Sequence, residues 1–281
     1  MSRRSAPAVV IVAAALLAVY APVIVSLVRQ WTSDENYSHG LLVVPFAVLF
    51  GWRALRGLAI APRPHALGLV VVAASMAVFL AGQFAVELFL MRVSLIGALA
   101  GSILFLWGPV HLRRLAFPLV LLLLAVPLPA VLLNQIAFPL QLLASRAGEA
   151  VVTAAGIPVL REGNVLILPT TKLEVVQACS GIRSLASLLT LGLILGKLAE
   201  PRRWARIALV ALTIPVAIVA NAARVAGTGL AASYVGPQAA EGFLHTFSGW
   251  LMFVVAFCAL MGCARLLARV PIRRPLPVAA P

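Results

Sequence analysis

The stretch Ala178-Cys179-Ser180-Gly181-Ile182-Arg183-Ser184 stands where a polar segment enters an apolar run. A cysteine at a helix N-terminus has its thiolate stabilised by the first free N–H groups and by the helix dipole. Arg183, one turn on, adds to the positive field. The chemistry on offer is nucleophilic, although a lone cysteine there serves equally well as a small boundary residue. Its partners decide. Asn221 and Arg224 lie at the outer end of the next apolar run. An arginine at the edge of such a run is costly to bury and marks a functional site unless it snorkels to the headgroups. His245 begins the last run, within Phe243-Leu-His-Thr-Phe-Ser-Gly-Trp250. Three successive helix ends therefore present a thiolate, a cation for an oxyanion and a general acid or base, which together serve acyl transfer.

A second polar cluster is Trp31-Thr-Ser-Asp34-Glu35-Asn36-Tyr37-Ser38-His39-Gly40, entering the second apolar run. Asp34, Tyr37 and His39 are candidates for contacting a polar peptide; the alternative is an ordinary loop with an interfacial aromatic belt. No two His, Cys or carboxylate residues stand at zinc spacing within one element, so neither metal nor cofactor is expected. Cys258 and Cys263 lie inside the last apolar run and are read as packing residues.

The elements that position these residues are membrane helices. Of 281 residues 63% are hydrophobic and 11% charged, against roughly 25% charged in a soluble domain. Eight acids cannot coat a globular surface. The net charge of +14 comes in short basic groups between apolar runs, which signals topology rather than a nucleic-acid surface. Runs long enough to span occur near 8–28, 40–58, 66–83, 91–110, 115–133, 180–198, 204–226 and 245–268. The first is read as a retained helix and not a cleaved leader. The stretch 136–156 is amphipathic, with Gln141, Ser145 and Glu149 on one face, and suits an interfacial or partly buried helix. Gly97/Gly101 and Gly192/Gly196 are GxxxG pairs for close helix packing.

Eight spans with the N-terminus inside put the whole +14 on the cytoplasmic side, where Glu200 is the sole acid, and leave the outer side neutral. The expected fold is an all-α polytopic membrane protein of about eight transmembrane helices. It carries an outer segment, 134–179, made of an amphipathic stretch and a small β-hairpin punctuated at Gly163-Asn164 and Pro169. Residues 1–270 read as a single integral-membrane domain and 271–281 as a cytoplasmic tail.

At these residues the chain resembles the exosortase/archaeosortase family of membrane cysteine transpeptidases. The resemblance rests on Asn36-Tyr-Ser-His-Gly40, Pro127-Leu-Pro129, Arg161-Glu-Gly-Asn164, Ala178-Cys-Ser-Gly-Ile-Arg-Ser184, Asn221-Ala-Ala-Arg224, Leu244-His245 and Gly249-Trp250, in the family's order. It implies a Cys nucleophile, an Arg and a His, which map onto Cys179, Arg224 and His245. It implies as substrates secreted proteins ending in a sorting signal, typically Pro-Glu-Pro, then one transmembrane helix and a basic tail. The charge split places both termini in the cytoplasm and the candidate active site on the outer face of what is read as a bacterial inner membrane. Arg183, Asn221, His39, Tyr37 and Asp34 are the expected supporting residues. The competing function is a non-enzymatic component of exopolysaccharide or lipid export. Nucleic acid is not an expected partner.

Overall fold

The computed structural model describes residues 6–57, 61–169, 171–175, 181–200, 202–236 and 242–270, without the side chains of Ala6 and of residues 242–246. In chain order the elements are helices α1 (Ala6–Ser33), α2 (Gly40–Leu55), α3 (Leu67–Phe84), α4 (Leu88–Trp107), α5 (Pro109–Leu124) and α6 (Ala130–Ala154). Strands β1 (Leu160–Glu162), β2 (Val165–Ile167) and β3 (Lys172–Glu174) follow, then α7 (Ile182–Ala199), α8 (Arg203–Tyr234) and α9 (Gly242–Arg269). Helix makes up 81% of the structure, which establishes the all-α class. Among the described residues seven helices are long and apolar enough to cross a membrane: α1, α2 with the turn before it, α3, α4, α7, α8 and α9. Val10, Ile11 and Leu17 of α1 and Leu67, Leu69 and Val70 of α3 are exposed apolar side chains, as a helix solvated by hydrocarbon requires. The chain divides into two compact units, 1–135 and 136–281.

In the first unit α3 and α4 approach closely because glycines line the contact. A Cβ on Gly97 would lie 2.5 Å from Ser75 Oγ, and one on Gly101 2.9 Å from the Gly68 carbonyl. The first GxxxG pair thus packs as expected. Tyr20 of α1 is fully buried, shares a 3.0 Å hydrogen bond with Ser94 Oγ and meets the Phe79 ring edge-on at 5.0 Å. One span of this unit differs in kind from the sequence reading. The run 115–133 is not one helix: α5 begins at Pro109, is 16 residues long and ends at Leu124. Pro at N1 fits a helix start, while Pro127 and Pro129 withdraw N–H donors just beyond its end. At 1.5 Å per residue α5 is about 24 Å long, short of a typical ~30 Å hydrocarbon core.

The second unit has a core of Leu188 from α7, Leu209 and Ala217 from α8, and Ala256 and Leu260 from α9. Gly192 admits the Thr213 methyl group, 2.6 Å from where its Cβ would stand, so the second GxxxG pair also serves packing. The expected hairpin is a three-stranded antiparallel sheet, order β1-β2-β3. Its inner face joins α6 and α8: Leu166, Leu173 and Val175 pack with Ala144 and Val225. The polar face of α6 is therefore covered by the sheet. Ser145, fully buried, donates to the Gly163 carbonyl at 3.1 Å, and Arg161 Nε donates to Glu149 at 2.6 Å. At the opposite end of the unit Arg202, before α8, pairs with Glu200 at 2.7 Å and donates from Nη1 to the Val270 carbonyl at 2.6 Å, holding the end of α9.

Candidate functional site

Gly181 caps the N-terminus of α7 in the left-handed region, φ +77°. Only glycine adopts that conformation without cost, and a second constraint acts on the same atom. A Cβ at Gly181 would stand 2.7 Å from Cγ of Asn221. The buried Asn221 amide of α8 is thus pressed against the turn that opens α7, two residues after Cys179. Gly181, Leu185, Ala217 and Asn221 line a small hollow here with Leu140 and Ala144 of α6. Cys179 itself lies outside the described residues.

Arg224, three positions on and almost one turn along α8, is half-buried. Its guanidinium lies against α9 at Gly249, where a Cβ would be 3.1 Å from Cζ and from Nη2. On its other flank Arg224 shares a small hollow with Leu173, Glu174, Val175, Val225 and Thr228. A flat cation is thus held between the end of the sheet and the first two turns of α9. His245 precedes Gly249 by four residues, a spacing that puts two helix positions on one face. The His245 side chain lies outside the described residues. Arg224 is not at a helix end as the sequence suggested. α8 runs 32 residues, about 48 Å, and continues to Tyr234.

The family model described as Transmembrane exosortase (Exosortase_EpsH) matches residues 31–262. The chain belongs to the transmembrane exosortase family. No curated protein and no solved structure matches it.

In the first unit of this exosortase, the Trp31–Gly40 cluster has backbone partners. Trp31 Nε1 donates to the Ala125 carbonyl at 2.8 Å, His39 Nε2 to the Leu124 carbonyl at 3.3 Å and Tyr37 Oη to the Leu128 carbonyl at 3.4 Å. Asp34 accepts from the Asn36 N–H at 2.9 Å and starts the turn over Glu35–Tyr37. Gly40 lies against the Trp31 indole, where any side chain would collide. Trp31 and His39 therefore take up carbonyls left at the end of α5, and Tyr37 reaches one in the proline-rich stretch beyond it. Arg183, in the first turn of α7, is half-buried.

The sequence reading gave no part to Arg92. It sits in α4 only 4% exposed and donates to Gln30 Oε1 at 2.7 Å and Ser26 Oγ at 3.5 Å. A buried guanidinium held by neutral acceptors is costly and unusual in a membrane helix. The signal was available as an arginine just inside an apolar run. Gly181 and Gly249 gave no such signal, because nothing local says which side chain crosses above a glycine.

Proposed function

We propose that this exosortase is a cysteine transpeptidase or protease of the bacterial inner membrane, acting on C-terminal sorting signals at its outer face. The observation that carries the reading is on α8. One turn of that helix sends Asn221 to the glycine two residues after Cys179 and Arg224 to the glycine one turn after His245. Two contacts from one rigid helix would bring three reactive groups into one register.

In the mechanism Cys179, as thiolate, attacks a peptide carbonyl near the Pro-Glu-Pro signal. The carbonyl oxygen becomes an oxyanion, and the planar fork of Arg224 stabilises it with two donors. His245 protonates the departing amine as the C–N bond breaks, leaving an acyl-thioester on Cys179. An acceptor amine, or water, then gives His245 its proton and takes the acyl group, restoring the thiolate. A secreted protein with a signal, one transmembrane helix and a basic tail would present the scissile bond just outside the bilayer.

The test is processing of such a substrate by Cys179→Ala. A membrane-impermeant thiol reagent should label Cys179 in the wild type, processing should stop in Cys179→Ala, and Cys258→Ala and Cys263→Ala should process normally. Normal processing by Cys179→Ala sinks the proposal.

A further inference from the structure

The antiparallel register pairs Leu166 with Leu173, flanked by Val165 with Glu174 and Ile167 with Lys172. Leu168 N–H bonds the Thr171 carbonyl at 2.8 Å, and Val175 N–H bonds the Asn164 carbonyl at 2.9 Å. Hydrogen-bonded pairs alternate along such a ladder, so Thr171, Leu173 and Val175 turn their backbone groups toward β2. Lys172 and Glu174 must then turn theirs the other way. β3 is the outermost strand on that side, and among the described residues nothing bonds the N–H or C=O of either residue. Both side chains are exposed, while Leu173 between them is buried in the core of the unit. Folded proteins usually blunt or cover such an edge, because an open one templates the pairing of another extended chain. This one shares a hollow with Arg224 through Glu174 and leads along the chain to Cys179, five residues on.

We propose that the open edge of β3 receives an extended peptide as a fourth, antiparallel strand, and that this peptide is the sorting signal of the substrate. The proposal rests on the peptidase reading above. Strand addition takes its affinity from main-chain hydrogen bonds and its specificity from alternate side chains. A Pro-Glu-Pro segment suits an edge. Its prolines alternate, so the donors they lack face solvent, and the N–H and C=O of the glutamate face the protein. The charges fix the register. Opposite Glu174 the signal glutamate would be repelled; opposite Lys172 it meets an ammonium on the same face. The residue before the signal's first proline then passes Glu174, on the Arg224 side.

The experiment measures equilibrium binding of a fluorescent synthetic peptide, Pro-Glu-Pro with six native residues on each side, to the full-length Cys179→Ala protein in nanodiscs. Lys172→Pro removes an outward N–H and no bond to β2, and should weaken binding roughly three- to tenfold. Lys172→Glu should weaken the same peptide severalfold, and a Pro-Lys-Pro peptide should recover the loss on Lys172→Glu alone. N-methylating the glutamate amide removes the companion bond, from the glutamate N–H to the carbonyl of residue 172, and should weaken binding to Cys179→Ala with and without Lys172→Pro. Wild-type affinity in both Lys172 variants, or an equal loss for both peptides on Lys172→Glu, overturns the edge-docking proposal. It would leave the peptidase reading intact as long as Cys179→Ala still blocks processing. Absence of peptide binding together with normal processing by Cys179→Ala overturns both.

Discussion

The guanidinium of Arg224 lies face-on to Gly249, with 3.1 Å between Cζ and the position a Cβ would take. A methyl group there forces the flexible end of Arg224 to give by a few tenths of an ångström. The backbone of α9 gains from the change, since Ala is preferred to Gly inside a helix by about 0.5–1 kcal/mol. Gly249→Ala should therefore leave thermal stability unchanged or slightly raised while thioester formation slows by roughly tenfold, because small misplacements of a positioned group are expensive in rate. A variant that melts earlier and turns over normally would remove Arg224 from the chemistry.

Gly181 should tolerate no side chain. Its φ of +77° and the 2.7 Å approach of Asn221 act together on one Cβ. Gly181→Ala is expected to cost about 2–4 kcal/mol, the sum of left-handed strain and overpacking. Adding Asn221→Ala should return the overpacking part only. Denaturant titration of the two singles and the double variant measures this, and strictly additive losses would mean that the two residues do not press on each other.

Arg224→Lys keeps the charge and loses the planar fork that lies against Gly249. We expect a loss near that of an oxyanion-hole donor, ~10²–10³ in rate. His245→Gln should lose roughly 10²–10⁴, as for a positioned acid or base. His39→Gln is the control. Its ring donates to the Leu124 carbonyl at 3.3 Å, a bond glutamine can replace, so thioester formation should persist. Thioester formation lost in His39→Gln and kept in His245→Gln would move the base to the first unit.

Arg202 holds Glu200 well below the usual carboxylate range, at about 2, chiefly by hydrogen bonds from its guanidinium and backbone N–H. A depressed carboxylate pKa stabilises the fold above the unfolded value, near 4.3, and the gain fades as pH falls toward 2. Wild type should thus melt above Glu200→Gln at pH 7, with the difference shrinking between about pH 4.5 and 2. A constant difference across that range would show that the pair does not hold the end of α9.

The sequence alone determined the class of this protein, its hydrophobic spans and the residue types of the candidate site. Apolar runs of spanning length and the basic clusters between them are local facts with a direct physical meaning in a lipid solvent, and the order of Cys179, Arg224 and His245 can be read along the chain. The glycine pairs announced close packing for the same reason. Helix ends were less legible: α5 stops at Leu124 because of prolines beyond it, and α8 runs on to Tyr234 because nothing in 227–234 breaks it. Only the tertiary structure decided that Asn221 meets Gly181, that Arg224 meets Gly249, and that the polar face of α6 lies under a three-stranded sheet. It likewise turned His39 toward the last carbonyl of α5 and Tyr37 toward the Leu128 carbonyl beyond it, and placed Arg92 beside Gln30. These are contacts between distant segments. A glycine carries no side chain to name its partner, and an exposed or buried fate for a polar residue depends on what packs over it. That information belongs to the way helices and strands stack, not to any window of the chain.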